Sequence, residues 1–287
     1  MTNKPTVVLM ANDKKSCNIS CTHCYLPYEG SIPAEDLLQM SEKLRDDYKV
    51  TIAGSETLMD VNYLSSYKNV GQKFILTNGI LLDKDPTLYN KLKENGISEI
   101  RMSLHFNIEK DLKSVPHRLV ERVVKAAKAE GLFVHINTTI TPENYNRVIE
   151  MCGETHRMGA NKIEFIKYIK SGSAHEEKRS LLSDEERSQF FSLVDQARAQ
   201  YLRDSLFIKI HGNFGPKPGS KGEALACGNT YCPAGVDLFV VAPDKQVYGC
   251  PLLMEHPIGF LDSQGRIQIT KVLGDGLRDK CLTDIIL

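Results

Sequence analysis

The sequence predicts an α/β protein: an open, partial (β/α)6 barrel of the TIM type, followed by a small β-hairpin tail. Two observations carry this. Over the first two-thirds of the chain, short apolar runs rich in β-branched residues alternate with amphipathic stretches of helical period. Beyond residue 205 the alternation stops, and glycine, proline and lysine take over. Strand–helix units in series imply parallel strands with right-handed crossovers, and about six units are too few to close a barrel of eight. The expected division is therefore 1–205 for the barrel and 206–287 for the tail.

Strands are expected over 6–10, 50–53, 73–76, 99–104, 133–140 and 162–169. Helices are expected between and after them, over 34–47, 60–67, 86–95, 118–130, 143–158 and 184–201. Pro33 stands where the first helix can begin, and Ser183 suits the N-cap of the last. Gly96, Gly131 and Gly159 follow three of the helices, at the position that ends a helix in a left-handed turn. Residues 210–222 (IHGNFGPKPGSKG) read as a loop. Residues 236–242 and 246–248, separated by Pro243-Asp244-Lys245, read as a hairpin, with a further strand at 266–270. In such an architecture functional residues belong at the C-terminal ends of the strands.

Composition narrows the function classes. Lys+Arg and Asp+Glu stand at 36 each, so no net field draws the 287-residue chain to nucleic acid or anionic lipid. The apolar run at 6–10 is too short for a signal sequence, and no later run could span a bilayer. The expected location is the cytosol, where eight cysteines read as metal ligands or catalytic thiols rather than disulfides.

Cys17-Asn-Ile-Ser-Cys21-Thr-His-Cys24 places three thiols within eight residues, directly after the first expected strand. Three thiolates so close can hold three irons of a [4Fe–4S] cluster and leave the fourth iron without a protein ligand. The competing reading, a tetrahedral zinc site, needs a fourth ligand, and His23 sits inside the same short loop.

CxxxCxxC in this place resembles the radical S-adenosylmethionine (radical SAM) superfamily. Further segments are similar in order. Ala53-Gly54-Ser55-Glu56-Thr57, ending the second strand, resembles the Gly-Gly-Glu-Pro segment that holds the methionine amino group, with Ser55 and Thr57 replacing Gly and Pro. Leu76-Thr77-Asn78-Gly79 ends the third strand as T-N-G does in that superfamily. Ser103 resembles the serine that contacts the SAM carboxylate or ribose, while His105 stands where many relatives have Asp. His23 resembles the residue whose backbone contacts adenine. The resemblance thus implies SAM contacts at His23, Gly54, Ser55, Glu56, Asn78 and Ser103, with Asn137 assigned beside them. It also implies the chemistry: the open iron chelates SAM, and reductive cleavage yields methionine and a 5′-deoxyadenosyl radical that abstracts a substrate hydrogen.

Four further cysteines lie at Cys227, Cys232, Cys250 and Cys281. Cys232-Pro-Ala-Gly and Pro243-Asp-Lys-Gln-Val-Tyr-Gly-Cys250 resemble the SPASM extension or its shorter Twitch form, with Lys245 in place of a turn glycine. The resemblance implies one auxiliary [4Fe–4S] cluster and two clusters in all. A zinc ribbon would show paired CxxC knuckles, which this tail lacks. Cys227 or Cys232 is the alternative candidate for a free thiol near the barrel mouth. Cys152, on an amphipathic stretch, reads as a small buried hydrophobe.

Such enzymes act on peptides or on small molecules such as aminocyclitols and sugars. Only sixteen residues precede Cys17, which favours a small substrate or a leader-independent peptide enzyme. The expected reaction is dehydrogenation or epimerisation of a small natural product. A peptide (RiPP) maturase performing epimerisation or C–C or thioether crosslinking is the alternative; an iron–sulfur electron carrier or zinc-stabilised binding module is the non-enzyme reading. A flavodoxin or ferredoxin is the expected reductant. Candidate substrate contacts are His105, Asn137 and Tyr168, flanked by Lys167 and Lys170, with His211 and Lys217 in the glycine-rich crossing.

Overall fold

The computed structural model describes residues 4–106, 115–176, 181–201, 205–214, 232–273 and 281. Seven strand segments run in order: β1 (Thr6–Met10), β2 (Lys49–Ala53), β3 (Phe74–Thr77), β4 (Glu99–Ser103), β5 (Phe133–Ile140), β6 (Lys162–Lys167) and β7 (Phe207–Ile210). Among them lie α1 (Ala34–Leu44), α2 (Leu64–Asn69), α3 (Ile80–Lys84), α4 (Thr87–Glu94), α5 (His117–Ala129), α6 (Val148–Met158) and α7 (Asp184–Gln200). Beyond β7 follow β8 (Leu238–Val241), β9 (Gln246–Tyr248), β10 (Pro257–Leu261) and β11 (Ile267–Ile269).

The helices form where the apolar period dictates. On α5, Val120, Val123, Val124 and Ala127 repeat at helical spacing, and all four are buried. Ser183 caps α7 in a capping box with Glu186, as the sequence signals. The short α3 carries no such signal and lies outside the expected helices. Cys152 is wholly buried on α6, where burial pushes its thiol up to about 12, so it packs as a small apolar group.

The strands form two sheets. One is all parallel, in the order β3-β4-β5-β6-β7; the other runs β11-β10-β9-β8-β1-β2. An α/β fold with parallel strands is therefore observed, but it departs from the expected layout at three points. Strand β7 lies in the segment expected as loop and tail, yet it pairs with β6 from Lys162↔Phe207 to Phe165↔Ile210. Its four residues are too few to register as a separate apolar run. Strand β8 of the expected hairpin pairs in parallel with β1, from Thr6↔Leu238 to Leu9↔Val241, so the tail continues the first sheet. Strand β10 lies outside the expected strands, because it opens on Pro257 and contains Gly259; proline is tolerated at the first strand position.

Among the described residues no backbone ladder joins β2 to β3. Gln72 spans the join instead. Its side chain accepts from the Ile52 N–H (2.6 Å) and donates to the Ile52 and Phe74 carbonyls (3.0 and 2.8 Å). Gln72 is buried, so this amide does the work of a missing ladder rung.

Strand parity then sorts the interior. Ile75, Ile100, Ile136 and Ile163 join the helix residues in the main apolar core. The alternate residues of the second sheet line a cavity and are largely polar, while Val8, Met10 and Ala53 of the first sheet form a second apolar cluster with Leu26 and Tyr28. Among the described residues no helix is long and apolar enough to cross a membrane.

Replacing Gln72 with Leu leaves the Ile52 amide buried without a partner. Urea unfolding should show a loss of about 2–4 kcal/mol; a loss under about 0.5 kcal/mol would show that the two sheets are held together by other contacts.

Candidate active site

The loop after β1 carries the three cysteines, and a single carboxylate closes it. Asp13 Oδ1 accepts from the N–H and hydroxyl of Ser16 (2.8 and 2.7 Å), while Oδ2 accepts from the Gly30 N–H (2.7 Å). Burial works to raise the Asp13 carboxyl, but the bonds from Ser16 and Gly30 outweigh it and hold the group below its ordinary value. Tyr28 donates to the Asn12 carbonyl (2.9 Å), and Ile32 N–H to that of Ala11 (2.8 Å), tying the return of the loop to the end of β1.

The loop is clamped from two further sides. Gly54 lies against the Asn12 side chain, leaving no room for a Cβ. On the other side the turn after β6 presses on the last cysteine: Ser173 N–H donates to the Cys24 carbonyl (2.8 Å) and Ser171 Oγ to that of Tyr25 (3.2 Å). A Cβ on Gly172 would fall 2.7 Å from the Cys24 oxygen, and its φ of 58° suits glycine. Glu255, from the segment between β9 and β10, holds that turn by accepting from Ser171 Oγ (3.1 Å) and the Gly172 N–H (3.0 Å).

Cys17, Cys21 and Cys24 all line one cavity of about 850 Å³. Burial pushes the Cys21 thiol up to about 12, and the neighbouring Cys24 and Cys17 add to the rise. Burial raises all three thiols, so the set ionises readily only against a bound cation, as iron would supply. Among the described residues no three His, Cys, Asp or Glu side chains converge on a point as a single-ion site requires. Three thiols lining one cavity are the donor set that a cluster with one open iron takes.

Of the residues assigned to SAM, Gly54, Ser55, Asn78, Ser103, Asn137 and His23 line this cavity. Ser103 and Asn137 are register partners on β4 and β5. Asn78 Nδ2 donates to Asn18 Oδ1 (2.7 Å) and lies 3.8 Å from Cys17 Sγ, linking β3 to the cysteine loop. Glu56, also assigned to SAM, is not among the lining residues. It is fully buried and turned onto the end of β3, where its carboxylate accepts from Asn78 N–H (2.6 Å), Thr77 Oγ1 (3.0 Å) and Leu58 N–H (3.2 Å). In this arrangement it shapes the strand ends and does not line the cavity. His105 is also buried; its Nδ1 accepts from the Thr139 N–H, and its ring meets that of His23 edge-on at 4.4 Å. Burial, then His23, holds His105 well below its ordinary pKa, so it is neutral.

Tyr168 and Lys167 line the cavity as well, though the Tyr168 hydroxyl is committed to the Ala174 carbonyl. His211 lines it; Lys170 does not. In the tail, Cys250 reaches the cavity wall, and Cys232 and Cys281 are buried close enough to raise its thiol, which burial first drives to about 12. Tyr25 lies between the two thiol sets, raised by burial and then by Cys24 and Cys250. Cys227, Lys217 and residues 177–179 lie outside the described residues.

Sequence reasoning missed the polar interior of the second sheet: Arg101, His135, Lys162, Glu164 and Lys209 all face the cavity. The signal was present as charged residues two apart within apolar runs, Glu99 and Arg101 in one and Lys162 and Glu164 in the other.

With this geometry in place, comparison with known proteins is informative. Residues 14–154 match the radical SAM superfamily. The matched span includes the cysteine loop and the ends of β2 to β5. A search of curated proteins found no match. Among solved structures, Streptococcus suis SuiB bound to precursor peptide SuiA is similar at TM-score 0.71 and 15% identity, covering 93% of this chain and 64% of SuiB. Native anSMEcpe with bound AdoMet and Cp18Cys peptide is similar at TM-score 0.65 and 19% identity, covering 89% of this chain and 77% of that one. Coproporphyrinogen III oxidase (HemN) from Escherichia coli follows at TM-score 0.51 and 11% identity, covering 84% and 63%. This chain therefore spans under two-thirds of the length of SuiB.

Glu56 offers a pH test of the site's framework. Burial raises its carboxyl to about 7, against the hydrogen bonds from Asn78, Leu58 and Thr77 that favour the charged form. The folded chain holds a proton that the unfolded chain releases above about pH 4.5. Its contribution is full below that pH and is lost as pH rises through 7. Urea unfolding should register this as about 3 kcal/mol of stability lost between pH 4.5 and 7. Glu56→Gln should remove that component and flatten the profile; parallel profiles for both proteins would contradict the assignment.

Proposed function

We propose that the chain is a radical SAM enzyme in which Cys17, Cys21 and Cys24 hold a [4Fe–4S] cluster with one iron open to SAM. The observation that carries this reading is the shared cavity: three half-buried thiols and the residues similar to SAM contacts line the same space. When bound, the cluster supplies the electron that cleaves SAM, and SAM the radical that takes a substrate hydrogen. The chain's own residues do the rest. Asp13 fixes the loop, Asn78, Ser103 and Asn137 offer polar contacts at the strands, and neutral His105 packs against His23 without adding charge. The apolar face of the first sheet, with Val8, Met10 and Tyr28, limits access of water from that side.

Cys232, Cys250 and Cys281, with Cys227, are proposed to hold a second [4Fe–4S] cluster in a SPASM- or Twitch-like tail. The nearness of Cys232 and Cys281 to Cys250, which itself lines the cavity, supports it. Such a cluster would supply a one-electron acceptor beside the cavity, which suits a redox outcome over epimerisation. The proposed substrate is a peptide: two of the similar folds were solved with peptides bound. A small aminocyclitol or sugar is the second reading, supported by a cavity of ligand size. A flavodoxin or ferredoxin in the cytosol is the proposed electron source.

Anaerobically reconstituted protein should contain about eight irons per chain. With dithionite and SAM it should release 5′-deoxyadenosine, and alanine at Cys17, Cys21 or Cys24 should abolish that release. Cys250→Ala should bring the iron to about four per chain. Wild-type protein that binds iron but never yields 5′-deoxyadenosine would refute the proposal. With a turned-over substrate, a loss of two hydrogens identifies oxidation, and a single solvent deuteron with no other change identifies epimerisation.

A further inference from the structure

The cavity has a charged floor that the proposed cofactors do not use. Arg101 on β4, His135 on β5, Lys162 and Glu164 on β6, and Lys209 on β7 all face inward. Register sets Arg101 beside His135, and His135 beside Lys162. This row lies two residues before Ser103 and Asn137, or about 7 Å lower along the strands.

Among the described residues the charges of the floor do not balance. Glu164 Oε1 lies 3.2 Å from Lys209 Nζ, and its Oε2 lies 3.1 Å from both Lys162 Nζ and His135 Nε2. On its other side His135 Nδ1 is 3.3 Å from Glu99 Oε1, which is bonded to Arg101 Nε at 2.6 Å. Arg101 also stacks on Phe74, 3.5 Å from the ring centre, and is fully engaged. Two carboxylates thus face three permanent cations and an imidazole, and one carboxylate serves both lysines.

Burial makes that surplus costly. Glu164 and His135 are 6% and 1% exposed, and an uncompensated charge at such depth costs several kcal/mol. Burial depresses Lys162 despite Glu164, with Lys209 and Arg101 adding to the depression. His135 Nε2, wholly buried, lacks the alignment of a hydrogen bond to Glu164. A purely structural ion network would close on itself. This one opens to the cavity through Lys209, whose side chain is 37% exposed.

We propose that this floor binds a carboxylate of the substrate, with Lys162 and Lys209 as its partners. The inference rests on the cavity being the substrate site of a radical SAM enzyme and names the class of substrate it takes. An acid anchored at the floor leaves the rest of the molecule directed toward Ser103, Asn137 and the cysteine loop. In a chain of equal positive and negative charge, the surplus at the cavity's lower end is local, and it sits where a ligand can reach it.

Isothermal titration of the reconstituted full chain with glutarate, and with neutral glutaramide as control, tests this. A second arm uses acetyl-Ala-Glu-Ala amide against its Gln counterpart. Binding in the first arm points to a small acid, in the second to an acidic peptide, and either supports the proposal. The charged probe should bind at least about tenfold more tightly than its neutral partner. Lys209→Met should weaken the charged probe about tenfold, and Glu164→Gln, which adds net positive charge, should tighten it by a similar factor. Opposite signs are the signature that a structural role cannot produce. Should Lys209→Met fail to fold, the tightening by Glu164→Gln decides alone. Equal binding of charged and neutral probes, or weakening by both variants, overturns the proposal. Failure of the radical SAM reading is seen separately, as no 5′-deoxyadenosine from the wild type.

Discussion

The closure of residues 13–30 by one carboxylate is the constraint from which the rest of the site follows. A loop of this length has no regular ladder to hold it, and its three thiols are useful only if they face one cavity. Asp13 meets both ends, binding Ser16 at the start and Gly30 at the return. That choice has an electrostatic cost, because the carboxylate is buried. Three donors offset it, and the balance favours the charged form. The neighbouring strands then add their own clamps, through Asn12 and Gly54 on one side and the Ser171–Ser173 turn on the other. The cysteine loop is thereby a rigid part of the fold, held by groups drawn from β1, β2 and β6.

The two sheets contribute different chemistry to one cavity. Beside β1 and β8 the inward residues are apolar, and Leu26, Tyr28 and Met254 pack onto them. Beside β4, β5 and β6 the inward residues are polar or charged, while their outward neighbours build the helix-facing core. Period-two alternation lets one strand serve both purposes at no cost in packing. The tail is bound into this arrangement through β8, paired with β1, and through Glu255, which steadies the turn that presses on Cys24. A change in the tail is thus mechanically connected to the first thiol set.

Much of this was legible in the sequence, and the reasons are physical. Most of the strands and helices follow from their apolar period, and Ser183 announces the start of α7 because an N-cap is local chemistry. The cysteine loop is legible because cysteine is scarce, and three thiols within eight residues suit a shared metal centre far better than packing or chance. What escaped depends on long-range pairing. Phe207–Ile210 has too few residues to declare itself, and only its partner β6 makes it a strand. Nothing local tells β8 to lie beside β1. The inward turn of Glu56 toward β3 depends on amides twenty or so residues away, and the charged floor depends on which face of each strand looks inward. Gln72 is the sharpest case: an ordinary polar residue in sequence, it is a bridge between sheets in the fold.

The proposed chemistry requires Cys17, Cys21 and Cys24 to grip one cluster whose remaining iron faces the SAM-binding strands. Electron paramagnetic resonance of the dithionite-reduced chain, recorded before and after SAM is added, interrogates that iron directly. SAM should change the g-values of one cluster, and isotopically labelled methionine nitrogen in SAM should show a hyperfine coupling to it. A reduced spectrum that SAM leaves untouched, with no such coupling, would contradict that requirement at its root.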